Sequence, residues 1–381
     1  MNVIYKIGIW MWVLVALTAC RQARSKSAGT DGSPAVDSVY VPRYAKGFRI
    51  TYRSDSVRLV DIQEPTKADA PVEHFALIPH GQQADDIPQD YTIIRTPVRR
   101  IVCMTTPQLK AFSLMDAYDC VVATSDTRRM QNPEWLARLD DERVKRIGIE
   151  GNFNTEIVMA TNPELILVSP HRRGGYEVLA ETGAPLMPYW AFNETSALGL
   201  SEWIRLSGLL IGKEPEAIAL FAGMEREYNY WKAVASKAER RPTVMSGELR
   251  AGHWYVPGGQ SFYARLFADA GADYFYKDDP RTGGVILDFE TVYARAHDVE
   301  FWRVMNGFPG TFTYEALEAS DKRYADFRAF RERKVIYCNL EYEPLYENMA
   351  GIPHILLKDM IKAMHPELLP DYEPQFYRRL E

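Results

Sequence analysis

Asn154-Thr155-Glu156-Ile157-Val158-Met159-Ala160-Thr161-Asn162-Pro163-Glu164-Leu165-Ile166-Leu167-Val168 reads as a capped helix followed at once by an unbroken apolar strand. Asn154 is the cap, the helix covers 154–160, and 165–168 lacks the alternation of a half-solvated strand. A strand apolar on both faces belongs in a parallel sheet covered by helices on each side. Upstream, Arg100-Ile101-Val102-Cys103-Met104 is a first strand, 107–115 a helix with Pro107 in its first turn, and Val121-Val122-Ala123-Thr124 a second strand. Downstream, Pro185-Leu186-Met187-Pro188-Tyr189 is a fourth strand. Strand alternates with helix throughout, which is the pattern of an α/β layer.

A long helical region follows. Trp203, Leu206 and Leu210 share a face, and after Gly212 a stripe runs through Ala217, Phe221, Met224, Tyr228, Trp231 and Val234. Its spacing predicts an amphipathic helix of about six turns, with the stripe serving as core packing. Beyond Arg241-Pro242 a second α/β set begins. It has a strand from Thr243, a helix over 261–270 stopped by Gly271, helical turns at 287–295, a strand at Lys334-Val335-Ile336-Tyr337-Cys338 and a helix over 355–364. The expected fold class is α/β: two α/β lobes joined by one long connecting helix. Residues 40–96 carry β-type alternation instead. Phe48-Arg49-Ile50-Thr51-Tyr52 and Val57-Arg58-Leu59-Val60 flank Ser54-Asp55-Ser56 as a hairpin. The predicted layout is a leader at 1–20, a tether at 21–39, a β-rich extension at 40–96, an N-terminal lobe at 97–200, a connecting helical region at 201–240 and a C-terminal lobe at 241–381.

The chain has 381 residues, 46% hydrophobic and 25% charged, which suits two domains. A net charge of -6 argues against a nucleic-acid binder. Cys103, Cys120 and Cys338 form no Cys-x-x-Cys pair, which argues against a structural zinc site. Cys103 ends one strand and Cys120 begins the next. Parallel neighbours would hold them at opposite ends, beyond the roughly 7 Å that a disulfide spans. The seven His are scattered, so no bare metal site is expected. A nucleophile elbow, a His-Glu-x-x-His helix and a phosphate loop are all missing, so an enzyme is the weaker class. A surface adhesin or scaffold is a third class, which the β-rich extension permits.

The N-terminus has Lys6, an apolar run over 7–17 and then Leu17-Thr18-Ala19-Cys20. That is a secretory layout, too short for a permanent span. Cysteine directly after Leu-Thr-Ala resembles a bacterial lipoprotein signal, which implies lipidation at Cys20 and a periplasmic protein anchored to a membrane. An ordinary signal peptide and a buried first helix are the alternatives. Arg21 follows where an inner-membrane retention signal often has Asp, so the resemblance leaves inner or outer membrane open.

Taken in order, Arg100-Ile101-Val102, Ile147-Gly148, Asn154-Thr155-Glu156-Ile157-Val158, Asn162-Pro163-Glu164-Leu165-Ile166-Leu167, Gly208-Leu209-Leu210-Ile211-Gly212-Lys213-Glu214, Ala270-Gly271-Ala272, Leu287-Asp288-Phe289-Glu290 and His365-Pro366-Glu367-Leu368 resemble ABC-transporter substrate-binding proteins of the helical-backbone class. That class holds the ferric-siderophore, haem and cobalamin binders. Glu164 stands where Asp is more usual, and the extension lies outside the common core. The resemblance implies a ligand cleft between the lobes and a monomer that docks on an inner-membrane ABC permease through one Glu per lobe. Glu156 and Glu290 fall at those positions. Helix-dipole complementarity is their plainer reading.

Cleft residues should lie on loops at the C-terminal ends of the strands. Those loops carry Arg128, Arg172, Arg173, Arg250 and Arg281, which suit an anionic chelate, and Trp190, Trp254 and Tyr255, which suit its apolar parts. The expected ligand is an iron chelate, a ferric siderophore. Cobalamin and haem are the alternatives, and no resident cofactor is expected.

Overall fold

Alternating residues in the extension build a sheet with one buried face. Strands β1 (Ser38–Tyr40), β2 (Phe48–Tyr52), β3 (Arg58–Ile62), β4 (Glu73–Pro79) and β5 (Thr92–Thr96) lie in that order. All pairs are antiparallel except β4 and β5. The computed structural model describes residues 38–53, 56–83, 86–125, 127–149, 152–170 and 176–381. Cys20, the Ser54-Asp55 turn, Arg172 and Arg173 lie outside the described residues. The tether expected to reach residue 39 ends earlier, because Ser38 and Val39 pair with Tyr52 and Thr51. Phe48, Ile50, Val60, Ile62, Phe75 and Leu77 pack against Trp203, Leu206 and Leu210.

The residues before β2 form a strap pinned by two buried carboxylates. Glu202, 1% exposed, accepts the N–H groups of Arg43, Tyr44 and Ala45 at 2.8–2.9 Å and the Tyr40 hydroxyl at 2.6 Å. Glu194, 3% exposed, accepts from Lys46 and Gly47 and from the Trp203 indole at 3.0 Å. Glycine is required at 47, where a Cβ would lie 2.6 Å from the Trp203 ring.

Asp61 on β3 joins the sheet's polar face. Arg49 donates to it at 2.5 Å, Tyr91 at 3.1 Å, and His74 Nδ1 lies at 2.7 Å. Burial would raise the Asp61 carboxyl, but donation from Arg49, His74 and Tyr91 outweighs it and holds the group below its ordinary value. A carboxyl depressed by folding adds stability above its unfolded pKa, near about 4. That stability is lost as pH falls through the lower folded value. Amide exchange in β2–β4 should therefore accelerate below about pH 4, and Asp61→Asn should remove that acid step while weakening the sheet at neutral pH.

The first lobe contains β6 (Ile101–Cys103), α1 (Leu109–Leu114), β7 (Val121–Thr124), α2 (Pro133–Asp140), β8 (Lys145–Arg146), the hairpin β9 (Gly148–Ile149) and β10 (Asn152–Phe153), α3 (Thr155–Ala160), β11 (Leu165–Val168) and β12 (Leu186–Pro188). Its sheet, β12-β11-β6-β7-β8, is parallel throughout. Cys103 aligns with Thr124 and Ile101 with Val121, so Cys120 sits at the other end from Cys103.

Helices α4 (Ala197–Glu202), α5 (Ile204–Ile211) and α6 (Glu214–Ala235) follow. Gly212, at φ 74°, takes the left-handed position that ends α5. The 22 residues of α6 span about 33 Å. Its Ala217 and Met224 pack with Ala111 and Met115 of the first lobe, and its Tyr228 and Ala235 join the second-lobe core.

The second lobe contains β13 (Thr243–Ser246), β14 (Leu249–Arg250), β15 (His253–Pro257), α7 (Phe262–Asp269), β16 (Asp273–Tyr274), β17 (Gly284–Leu287), α8 (Phe289–Ala296), β18 (Phe301–Asn306), α9 (Tyr314–Ser320), α10 (Arg328–Arg331), β19 (Val335–Asn339), α11 (Leu345–Asn348), α12 (Pro353–Met364) and β20 (Arg378–Arg379). Its main sheet is β16-β13-β18-β19-β20, parallel except at the β20 edge. A small antiparallel sheet, β14-β15-β17, stands where 248–255 reads as a loop.

Candidate functional site

The parallel strands of both lobes end at a common cleft. Thr105 and Thr106 follow β6, Arg128 follows β7, Met305 lies near the end of β18, and Leu340 and Glu341 follow β19. Ligands in open α/β sheets occupy this position. The cleft has two chambers. The outer one, about 850 Å³, lies between Thr105, Arg128 and Met130 of the first lobe and Leu340, Glu341, Pro344 and Glu347 of the second. The other, about 550 Å³, is the more open of the two and is termed inner only because it reaches the buried Arg303; Arg250, Tyr255 and Tyr263 also border it. Phe192 and Tyr346 border both chambers, with ring centroids 6.3 Å apart. Each chamber lies in the range of about 300–1,000 Å³ typical of small-molecule sites.

Arg303 is the unusual group. Strand β18 is buried from Phe301 to Val304, and it carries this guanidinium inside with 5% exposure. Tyr263 lies under it, 3.8 Å from ring centroid to guanidinium, and Tyr377 lies at 5.3 Å. Nη1 donates to Ser246 Oγ at 3.2 Å, and Nη2 to the Tyr377 hydroxyl at 2.6 Å. Nε is buried with no hydrogen-bond partner. Among the described residues no carboxylate pairs with Arg303. Burying a charge costs several kcal/mol per ion, which cation–π contact offsets only in part. What remains is a fixed positive charge at the border of the inner chamber, with its Nε enclosed in the protein.

Several other charges around the cleft are compensated. Arg250 borders the inner chamber, exposed, and donates to Glu248 at 2.8 Å and to the Met305 carbonyl at 3.0 Å. Arg378 holds Glu343 at 2.6 Å. Glu347, 6% exposed, crosses between lobes to accept the N–H groups of Gln131 at 2.8 Å and Asn132 at 3.1 Å, next to the N-terminus of α2. Lys110 of the first lobe donates to Asn348 at 2.8 Å beside this clasp. Burial lowers the Lys110 ammonium from its ordinary value.

The residues expected from the sequence fall into distinct places. Arg128, Arg250 and Tyr255 border the cleft, with Arg128 in the outer chamber and the other two in the inner. Trp254 does not, and its assignment is corrected. Residues in β15 alternate, so Tyr255 faces out while Trp254, 0% exposed, packs against Trp302, Tyr324 and Phe327 at 5.6–5.7 Å. Trp190 is corrected too. It packs on the first-lobe core, and the turn Trp190–Asn193 presents Phe192 to the cleft instead. Arg281 borders neither chamber. It is tied to Asp279 at 2.5 Å, and Thr282 to Gly284 take its place at the wall. Glu156 and Glu290 are exposed in the first turns of α3 and α8, behind the caps Asn154 and Asp288. Glu290 lies 3.7 Å from Arg323.

Arg303, Tyr263, Phe192 and Tyr346 were not anticipated. A lone Arg inside Phe301-Trp302-Arg303-Val304-Met305 was the available signal, because a charge within an otherwise apolar strand must be buried with a purpose or break the strand.

A family profile described as periplasmic binding protein matches residues 101–342. Two uncharacterized lipoproteins of Methanocaldococcus jannaschii are similar along the chain. One is 24% identical over 391 residues, covering 97% of this chain and 97% of the relative. The other is 22% identical over 361 residues, covering 88% and 84%. Among solved structures, the TroA-like periplasmic binding protein FepB from Veillonella parvula superposes with a TM-score of 0.57 at 17% identity, over 75% of this chain and 96% of that one. The periplasmic haem-binding protein HutB of Vibrio cholerae gives 0.57 at 14% identity, over 70% and 99%. A Fe3+-hydroxamate transport protein from Saccharomonospora viridis gives 0.53 at 17%, over 71% and 94%. The solved structures establish the two-lobed fold, and the family match places the chain in a class of extracytoplasmic solute-binding proteins that work with ABC permeases. The chain belongs to the periplasmic binding protein family of ABC-type solute-binding proteins.

Proposed function

We propose that the protein captures an anionic ferric chelate in the inter-lobe cleft and delivers it to an ABC permease while anchored through a lipid on Cys20. The observation that carries the ligand class is Arg303, a buried cation at the border of the inner chamber that no described carboxylate pairs with. An anionic oxygen, such as the catecholate or carboxylate of a siderophore, would complete it. Arg128 borders the outer chamber, and Arg250, paired with Glu248, borders the inner one. Tyr255 and Tyr346, 45% and 39% exposed, offer ring faces to a bulky ligand. Solved neighbours with this fold include a hydroxamate transporter component and a haem binder. Cobalamin, nearly neutral, would leave Arg303 unsatisfied, whereas haem propionates would engage it. Titration of intrinsic fluorescence with a ferric tris-catecholate, a ferric hydroxamate, haem and cobalamin tests this reading. Saturable binding of a ferric chelate, with cobalamin weakest, is the expected result, and preference for cobalamin overturns it.

Delivery is assigned to Glu156 and Glu290, one exposed carboxylate per lobe. Rim charges of this kind set encounter and orientation more than affinity. Reversal of both (Glu156→Lys, Glu290→Lys) should abolish chelate uptake in cells while ligand affinity in solution stays within about twofold of the parent. A fall in solution affinity would contradict the assignment.

A further inference from the structure

We infer that the loop joining β3 to β4, residues 63–72, is a third wall of the ligand cleft and that Thr66 is a specificity-determining residue, an inference that rests on the ligand class proposed above. Thr66 borders the inner chamber together with Arg250, Tyr255, Arg303 and Tyr346. It does so from the extension, which lies before the stretch matched by the family profile. The cleft therefore has a wall that neither lobe supplies.

The wall is held in place. Gln63 N–H donates to the Gly47 carbonyl at 2.9 Å, which ties the loop to the strap. The strap is in turn fixed on Glu194 and Glu202, and Glu194 itself borders the inner chamber. Within the loop, the Thr66 hydroxyl donates to Glu64 at 3.1 Å and Lys67 pairs with Glu64 at 2.8 Å. Thr66 is half-buried with its hydroxyl committed, so it limits the chamber mainly by its small volume and its lack of charge. A loop indexed this tightly acts as a pre-formed surface and adds little ordering cost on binding.

Three variants test it: Thr66→Trp, Thr66→Glu and Thr66→Arg, each titrated with a ferric tris-catecholate beside the parent protein and checked by thermal unfolding. Thr66→Trp should weaken binding about tenfold by filling the chamber. Thr66→Glu should weaken it about tenfold through like-charge repulsion, and Thr66→Arg should bind at least as tightly as the parent. The opposite response of Glu and Arg separates contact with an anionic ligand from a merely structural loop, and both side chains suit a half-exposed position if the bulkier Trp does not. Binding by the parent with the Glu and Arg variants within twofold of it and of each other overturns this inference alone. No binding by the parent of the catecholate, the hydroxamate or haem overturns the proposed ligand class and this inference with it.

Discussion

Replacing Arg303 by Met is expected to abolish high-affinity chelate binding without unfolding the protein. The ligand effect follows from removal of a buried, charge-assisted donor. Truncating one partner of such a pair costs about 2–5 kcal/mol, roughly 30-fold to several thousand-fold in Kd. The stability effect runs the other way. Arg303 is a buried cation that pairs with no described carboxylate, and its Nε has no partner. Apolar replacement of buried ions is often neutral or stabilising. The Tyr377 hydroxyl keeps a partner in Tyr263 at 3.0 Å, so the substitution leaves few groups stranded. Arg303→Met should therefore hold or raise Tm while binding is lost, and Arg303→Lys should fall between, because an ammonium keeps the charge but not the planar fork. Calorimetric titration and thermal unfolding of the same samples give both readings. Lower Tm with intact affinity would show Arg303 to be a packing residue.

Glu202→Ala should be among the most damaging single changes to the fold outside the lobes' apolar cores. The carboxylate accepts three backbone N–H groups and one tyrosine hydroxyl at 2.6–2.9 Å, and it is 1% exposed. Each buried donor left unpaired costs about 1–3 kcal/mol, although partial access of water to the strap limits the sum. A loss of about 3–5 kcal/mol is expected, a large part of the 5–15 kcal/mol that a domain has available. Glu202→Gln, which retains one acceptor oxygen, should lose less. Denaturant unfolding measures the loss, and amide exchange over residues 40–52 localises it. A change of under about 0.5 kcal/mol, the range of ordinary surface substitutions, would mean that the strap is held by its apolar contacts instead.

The lobes were legible in the sequence because their strands are short apolar runs between capped helices. Leu165-Ile166-Leu167-Val168 and Asn154 form the strand and cap expected of them. Strand β18 is hidden in the sequence because Arg303 interrupts its apolar run, and the buried guanidinium is hidden with it. Read from the sequence, Trp254 and Tyr255 fall together among the cleft residues. The period of two in β15 separates them, and that period shows only once β14 and β17 are known to flank the strand. Glu194 and Glu202 have no local signal at all. They are buried because residues 40–47, more than 140 positions earlier, bring their N–H groups to them. Pairings of that separation belong to tertiary structure, as does the approach of Thr66 to the inner chamber.

Crystals grown with a ferric tris-catecholate and measured at the iron absorption edge would locate the metal directly. The account predicts one anomalous peak between the lobes, with chelate oxygens facing Arg303 and the ligand bordered by Phe192 and Tyr346. A peak outside the cleft, or a chelate seated in it without contact to Arg303, would contradict it.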